Sequence, residues 1–103
     1  MNEIIDMITA ELIRHETKEK EPPMYRVIIL NDSKTPMYFV VQVLINVFHM
    51  NEKMANRVMM ASHKSGSAIC GVFPRDIAEM KIRQVKSIAG KNKYPLSCVM
   101  QEE

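Results

Sequence analysis

Three polar residues in a row, Asn31, Asp32 and Ser33, follow directly on the apolar run Val27–Leu30. Together they present an amide oxygen, a carboxylate and a hydroxyl, acceptors suited to an ammonium group. The same triplet is also ordinary turn chemistry, in which such side chains bond the neighbouring backbone. Farther along, Met59, Ser62 and His63 stand at i, i+3 and i+4 and so share one face of a helix. Taken alone, that histidine reads as an edge residue. With Met37, which follows the triplet closely, the loop and this face make an apolar cup with an acceptor-lined rim. The ligand class that fits is an ammonium carried on a bulky apolar side chain, as at the first residue of a peptide. An α-amino group is mostly charged below its usual pKa of about 7.7–8.0. Burying a leucine or phenylalanine side chain contributes about 1.5–3 kcal/mol. Each charge-assisted hydrogen bond adds about 1.5–3 kcal/mol, enough in total for micromolar recognition.

Other chemistries lack their parts. A phosphate-cradling loop needs clustered glycines, whereas Gly66, Gly71 and Gly90 are scattered. Zinc needs three or four Cys or His ligands at short spacings; His15, His49 and His63 are dispersed and no Cys-x-x-Cys occurs. No metal and no cofactor is expected. A Cys70 nucleophile with His63 as base is available on paper, but Cys70 sits inside an apolar strand pattern, where thiols are inert. Cys70 and Cys98 are expected to be small buried hydrophobes and not a disulfide.

These residues need elements to position them. The chain has 103 residues, room for one core and not two. It is 47% hydrophobic and 25% charged, ordinary globular values that argue against wholesale disorder. A net charge of +2 with interspersed signs implies no nucleic acid. No apolar run suits a membrane span, and Glu3 and Asp6 are at odds with a cationic signal peptide, so the expected location is cytoplasmic. Ile4, Ile5, Ile8 and Leu12 suggest a short amphipathic helix within Met1–Arg14; His15–Pro23 is charged and ends in two prolines, as a linker does. Residues 1–23 are thus expected to be a flexible extension and 24–103 the globular domain.

Tyr25–Leu30 reads as a central strand ending in the polar turn. Thr35 and Pro36 suit an N-cap and first helical residue, and Val40, Val43, Leu44, Val47 and Phe48 carry the helix to near Met50. Asn51 can cap a second helix whose face is Ala55, Val58, Met59 and Ser62 and which Gly66 ends. Ala68–Phe73 reads as a strand, and Pro74-Arg75-Asp76 opens a helix with the stripe Ile77, Met80, Ile82, Val85, Ile88, Ala89, stopping at Gly90. Leu96–Met100 reads as a last strand. The order β-α-α-β-α-β predicts an α+β fold, a small three-stranded antiparallel sheet with three helices over one face.

The string from Tyr25 through Asn31-Asp32-Ser33-Lys34-Thr35-Pro36-Met37 to Val40 resembles the opening of ClpS, the adaptor family of the Clp ATP-dependent proteases. Met59-Met60-Ala61-Ser62-His63-Lys64-Ser65-Gly66 with Ala68–Val72, and Ala78–Lys81 followed by Tyr94-Pro95-Leu96-Ser97-Cys98, resemble the same family in order and spacing. The resemblance spans about Tyr25 to Val99 and implies a non-enzymatic, monomeric adaptor. Such an adaptor binds proteins with an N-terminal Leu, Phe, Tyr or Trp, the bacterial N-degron, and delivers them to a Clp unfoldase. It implies that Asn31, Asp32, Ser33 and His63 bind the α-amino group and first peptide unit. It further implies that Met37 gates the pocket, that Thr35, Val40, Met59, Ser62 and Leu96 line it, and that Asp76, Glu79 and Lys81 dock the N-terminal domain of ClpA or a related unfoldase. The segment before the domain matches the extension that the unfoldase engages.

The chain departs from the family pattern at Ser33, where a second acid is usual, and at Ser62, where an aliphatic residue is common. Lys34 and Tyr38 replace the usual Tyr and Glu, lowering the negative potential at the mouth. An alternative of another class follows: a regulatory protein that docks on the unfoldase and alters its substrate choice, with a weak or vestigial pocket.

Overall fold

The computed structural model describes residues 22–103. The helix expected within Met1–Arg14 and most of the expected extension lie outside the described residues. β1 (Met24–Leu30) is followed by α1 (Met37–Phe48), α2 (Glu52–Ser65), β2 (Ser67–Pro74), α3 (Arg75–Lys91) and β3 (Ser97–Glu102). The β-α-α-β-α-β order and the three-stranded antiparallel sheet are as expected. β1 lies in the middle, in the order β2-β1-β3, and pairs antiparallel with both neighbours. This is why the run Val27–Leu30 is so apolar: Val27 and Ile29 point to the helices and are fully buried. On the opposite face the alternation leaves Ile69, Val72 and Val99 exposed. Cys70 is the extra residue of an irregularity in the β1–β2 ladder, where Val27 faces Gly71 but Ile28 faces Ile69.

α1 is the most apolar helix and supplies most of the core, with Phe39, Val40, Val41, Val43, Leu44 and Val47 all buried. It ends at Phe48, short of the expected Met50, because His49 turns left-handed at φ 57° and donates its N–H to the Leu44 carbonyl. Asn51 then caps α2 as expected, its side-chain oxygen accepting from Met54 N at 2.8 Å. Gly66, at φ 92°, closes α2 through an N–H donated to the Ser62 carbonyl. α3 buries Ala78, Val85 and Ala89, and of the expected stripe Ile82 and Ile88 pack half-buried against the core and Ile77 is half-buried, while Met80 is left exposed. Nor does α3 stop at Gly90. The helix runs to Lys91, and the left-handed residue that ends the turn is Lys93, φ 61°.

Candidate functional site

Where β1 leaves the sheet, the backbone keeps pairing for one more step: Asn31 N donates to the Gly66 carbonyl at 2.9 Å. That bond fixes the start of the polar loop against the C-terminal cap of α2. Asp32 then organises the loop. Its Oδ1 accepts from Lys34 N at 2.8 Å and Thr35 N at 2.7 Å, and its Oδ2 accepts from the Thr35 hydroxyl at 2.8 Å. Partial burial pushes the Asp32 carboxyl up, but these bonds from Thr35 and Lys34 outweigh it and hold the group below its ordinary range.

The expected cap at Thr35 is therefore replaced by another arrangement. Thr35 spends its hydroxyl on Asp32, Pro36 occupies the cap position with an extended backbone, and no side chain caps α1. The first turn instead bonds the Pro36 carbonyl, which accepts from Phe39 N and Val40 N. The helix begins at Met37, one residue later than Thr-Pro chemistry suggested.

The loop, the first turn of α1 and the last two turns of α2 surround a cavity of about 390 Å³. Its rim is polar: Asn31, Ser33 and His63 are exposed there, with Asp32 and Thr35 half-buried beside them. Met37, 45% exposed, is part of the lining. The inner wall is Val40, Met59 and Ser62, all buried. Nine of the expected site residues thus meet in one place, brought from three segments. A volume in this range holds one large side chain or small ligand. Pro36 also lines the cavity, a residue that sequence reasoning used only as a helix start. Met54 and Met60, on the same helix as Met59, are exposed and do not line it.

Leu96 does not line this cavity. It is 3% exposed in the core and borders a separate groove between α3 and β3, beside Ile82, Tyr94 and Pro95. The Tyr94 ring, edge-on to Phe39 at 4.7 Å, anchors this approach to β3. Leu96 is thus placed with α3 and the core.

The three residues assigned to docking also separate. Asp76 and Glu79 border a shallow hollow with Tyr25, Pro74 and Arg75, and Glu79 accepts from Arg75 Nε at 3.1 Å. Lys81 is engaged within the fold: its Nζ donates to the Val47 carbonyl at 2.6 Å and lies 5.9 Å from the Phe73 ring centre. It therefore satisfies one of the terminal carbonyls of α1 with a cation, where the helix dipole favours one.

Both cysteines are free and buried. The Cys98 thiol is pushed far up by a hydrogen bond with Cys70, by burial and by the charge of Cys70, so it stays protonated. Among the described residues no three His, Cys, Asp or Glu side chains gather as metal ligands. No helix there is long and apolar enough to cross a membrane.

Residues 20–99 match the family model "ATP-dependent Clp protease adaptor protein ClpS". The chain is 49% identical over 87 residues to the ATP-dependent Clp protease adapter protein ClpS of Methylococcus capsulatus, covering 84% of this chain and 82% of the relative. It is 46% identical over 101 residues to that of Syntrophus aciditrophicus, covering 97% and 94%. Among solved structures, Agrobacterium tumefaciens ClpS2 bound to L-phenylalaninamide matches with a TM-score of 0.78 and 41% identity, over 80% of this chain and 99% of that one.

Proposed function

We propose, for a chain that belongs to the ClpS family of Clp protease adaptor proteins, that it binds proteins through a bulky N-terminal residue. In this reading the adaptor carries them to a Clp unfoldase, works as a cytoplasmic monomer and catalyses nothing itself. One observation carries the proposal: a single cavity joins an acceptor-bearing rim, Asn31 to Ser33 with His63, to a buried apolar wall of Val40 and Met59. An N-terminal residue is the ligand that needs both. Its ammonium takes acceptors at the rim while its side chain leaves water against the inner wall. L-phenylalaninamide, the ligand of the Agrobacterium relative, has this form: a free amino group, a blocked carboxyl and an aromatic side chain. Met37, an exposed part of the lining, crowds any branch at the ligand's Cβ and disfavours valine and isoleucine.

Asn31 and His63 hydrogen-bond the amino group and first peptide unit, Ser33 offers a neutral acceptor, and Asp32 acts through its charge and its hold on the loop. Asp76 and Glu79, at the start of α3, offer the N-terminal domain of a ClpA-type unfoldase an acidic edge beside Arg75. Lys81 contributes there chiefly by fixing α3 to the end of α1. Residues 1–23 serve as the segment that the unfoldase engages. The test is titration of peptides beginning with Leu, Phe or Val and of an N-acetylated Phe peptide. The first two bind and the last two do not; equal binding of all four would falsify the reading. A pocket without affinity in a chain that still binds the unfoldase would favour the regulatory alternative, to which the neutral Ser33 lends support.

A further inference from the structure

The inner wall of the cavity contains one polar group. Ser62 is 3% exposed, the least exposed of all the lining residues, and its neighbours on that wall, Val40 and Met59, are apolar. The Ser62 carbonyl is used by Gly66 N, but its hydroxyl takes part in no hydrogen bond among the described residues. Nor is it a side-chain atom sealed from solvent without a partner, since none such occurs among the described residues. The hydroxyl therefore opens into the cavity.

We infer that Ser62 makes this pocket select an N-terminal tyrosine over a phenylalanine. The inference rests on the cavity's being the site for a peptide's first residue, and it names which residue that is. With the ammonium held at the rim, an aromatic ring points inward and its far edge approaches the buried wall. A phenylalanine ring there strips the Ser62 hydroxyl of water and offers nothing in return, which is costly for a buried polar group. A tyrosine brings a phenol that both donates and accepts, as the serine hydroxyl does, so the pair satisfy each other. Selection arises as much from the unpaired hydroxyl with phenylalanine as from the bond with tyrosine. The opposing effect is local: serine in a helix can turn its hydroxyl onto the carbonyl one turn back, that of Val58, and then has no need of the ligand. The size of the preference measures which partner it takes.

The experiment is fluorescence anisotropy with the full chain and peptides that differ only in their first residue, Leu, Phe or Tyr. It is run on the parent, Ser62→Ala and Ser62→Thr, each checked for a parent-like unfolding transition. The parent binds the Tyr peptide about three- to tenfold more tightly than the Phe peptide. Ser62→Ala removes that ratio by tightening the Phe peptide relative to the Tyr peptide, and Ser62→Thr, which keeps a hydroxyl, retains it. A parent Tyr-to-Phe ratio near one, or a ratio unchanged in Ser62→Ala, overturns the selection while leaving the pocket in place. Failure of all three peptides to bind the parent overturns the pocket reading, and this inference with it.

Discussion

Replacing Asp32 with Asn separates two things that its carboxylate does at once. Asp32 borders the cavity, yet both of its carboxylate oxygens already accept bonds from the loop, Oδ1 from two backbone amides and Oδ2 from the Thr35 hydroxyl. An asparagine keeps the oxygen that the two amides use, and the Thr35 hydroxyl can turn to accept from the new amide. The loop should survive and only the charge be lost. At an exposed rim, with water between and a separation of about 6 Å, that charge attracts an ammonium by about 0.7 kcal/mol, or threefold in affinity. Asp32→Ala, by contrast, removes all three bonds and costs about 1–2 kcal/mol of stability after allowance for exposure. The assay pairs peptide titration with urea unfolding for both variants. The sign with pH follows from the lowered carboxyl: the folded value lies below the unfolded one, near 3.8. The parent's stability advantage over Asp32→Ala is therefore complete above about pH 4 and fades as the pH falls through the folded value. A thirtyfold loss of affinity in a fully stable Asp32→Asn protein would refute the reasoning, since a charge acting through bulk water at that distance is worth only a few-fold.

Three further outcomes follow from the same packing. Lys81→Met keeps the apolar stem but loses the bond to the Val47 carbonyl, and should lower stability by about 1–2 kcal/mol in urea unfolding; an unchanged midpoint would show that the lysine is free for other partners. Gly66→Ala meets no obstructing atom, yet must adopt φ 92°, so a loss of about 1–2 kcal/mol is expected by thermal unfolding. Because the Gly66 carbonyl holds Asn31, peptide affinity should fall with it. Cys70 and Cys98 should resist alkylation in the native protein at pH 8 and react on unfolding; rapid native labelling would contradict their burial and the raised Cys98 thiol.

The sequence alone settled the order of the elements, because each carries its period and its punctuation locally. The Asn51 cap, the Gly66 stop and the run Val27–Leu30 are nearest-neighbour chemistry, and each stands where the pattern placed it. The grouping of Met59, Ser62 and His63 is equally local, since helical geometry alone puts them on one face. Tertiary structure decided what those groups face. Thr35 can cap a helix or serve a neighbouring acid, and only the turn that brings Asp32 within 2.8 Å of it chose the second. Leu96 and Lys81 show the same limit at longer range. One went to the groove between α3 and β3, the other to the end of α1, as packing of distant segments dictated. A residue's type states what it can bond or bury, whereas its partner depends on which segments the core draws together, and that is a property of the whole chain.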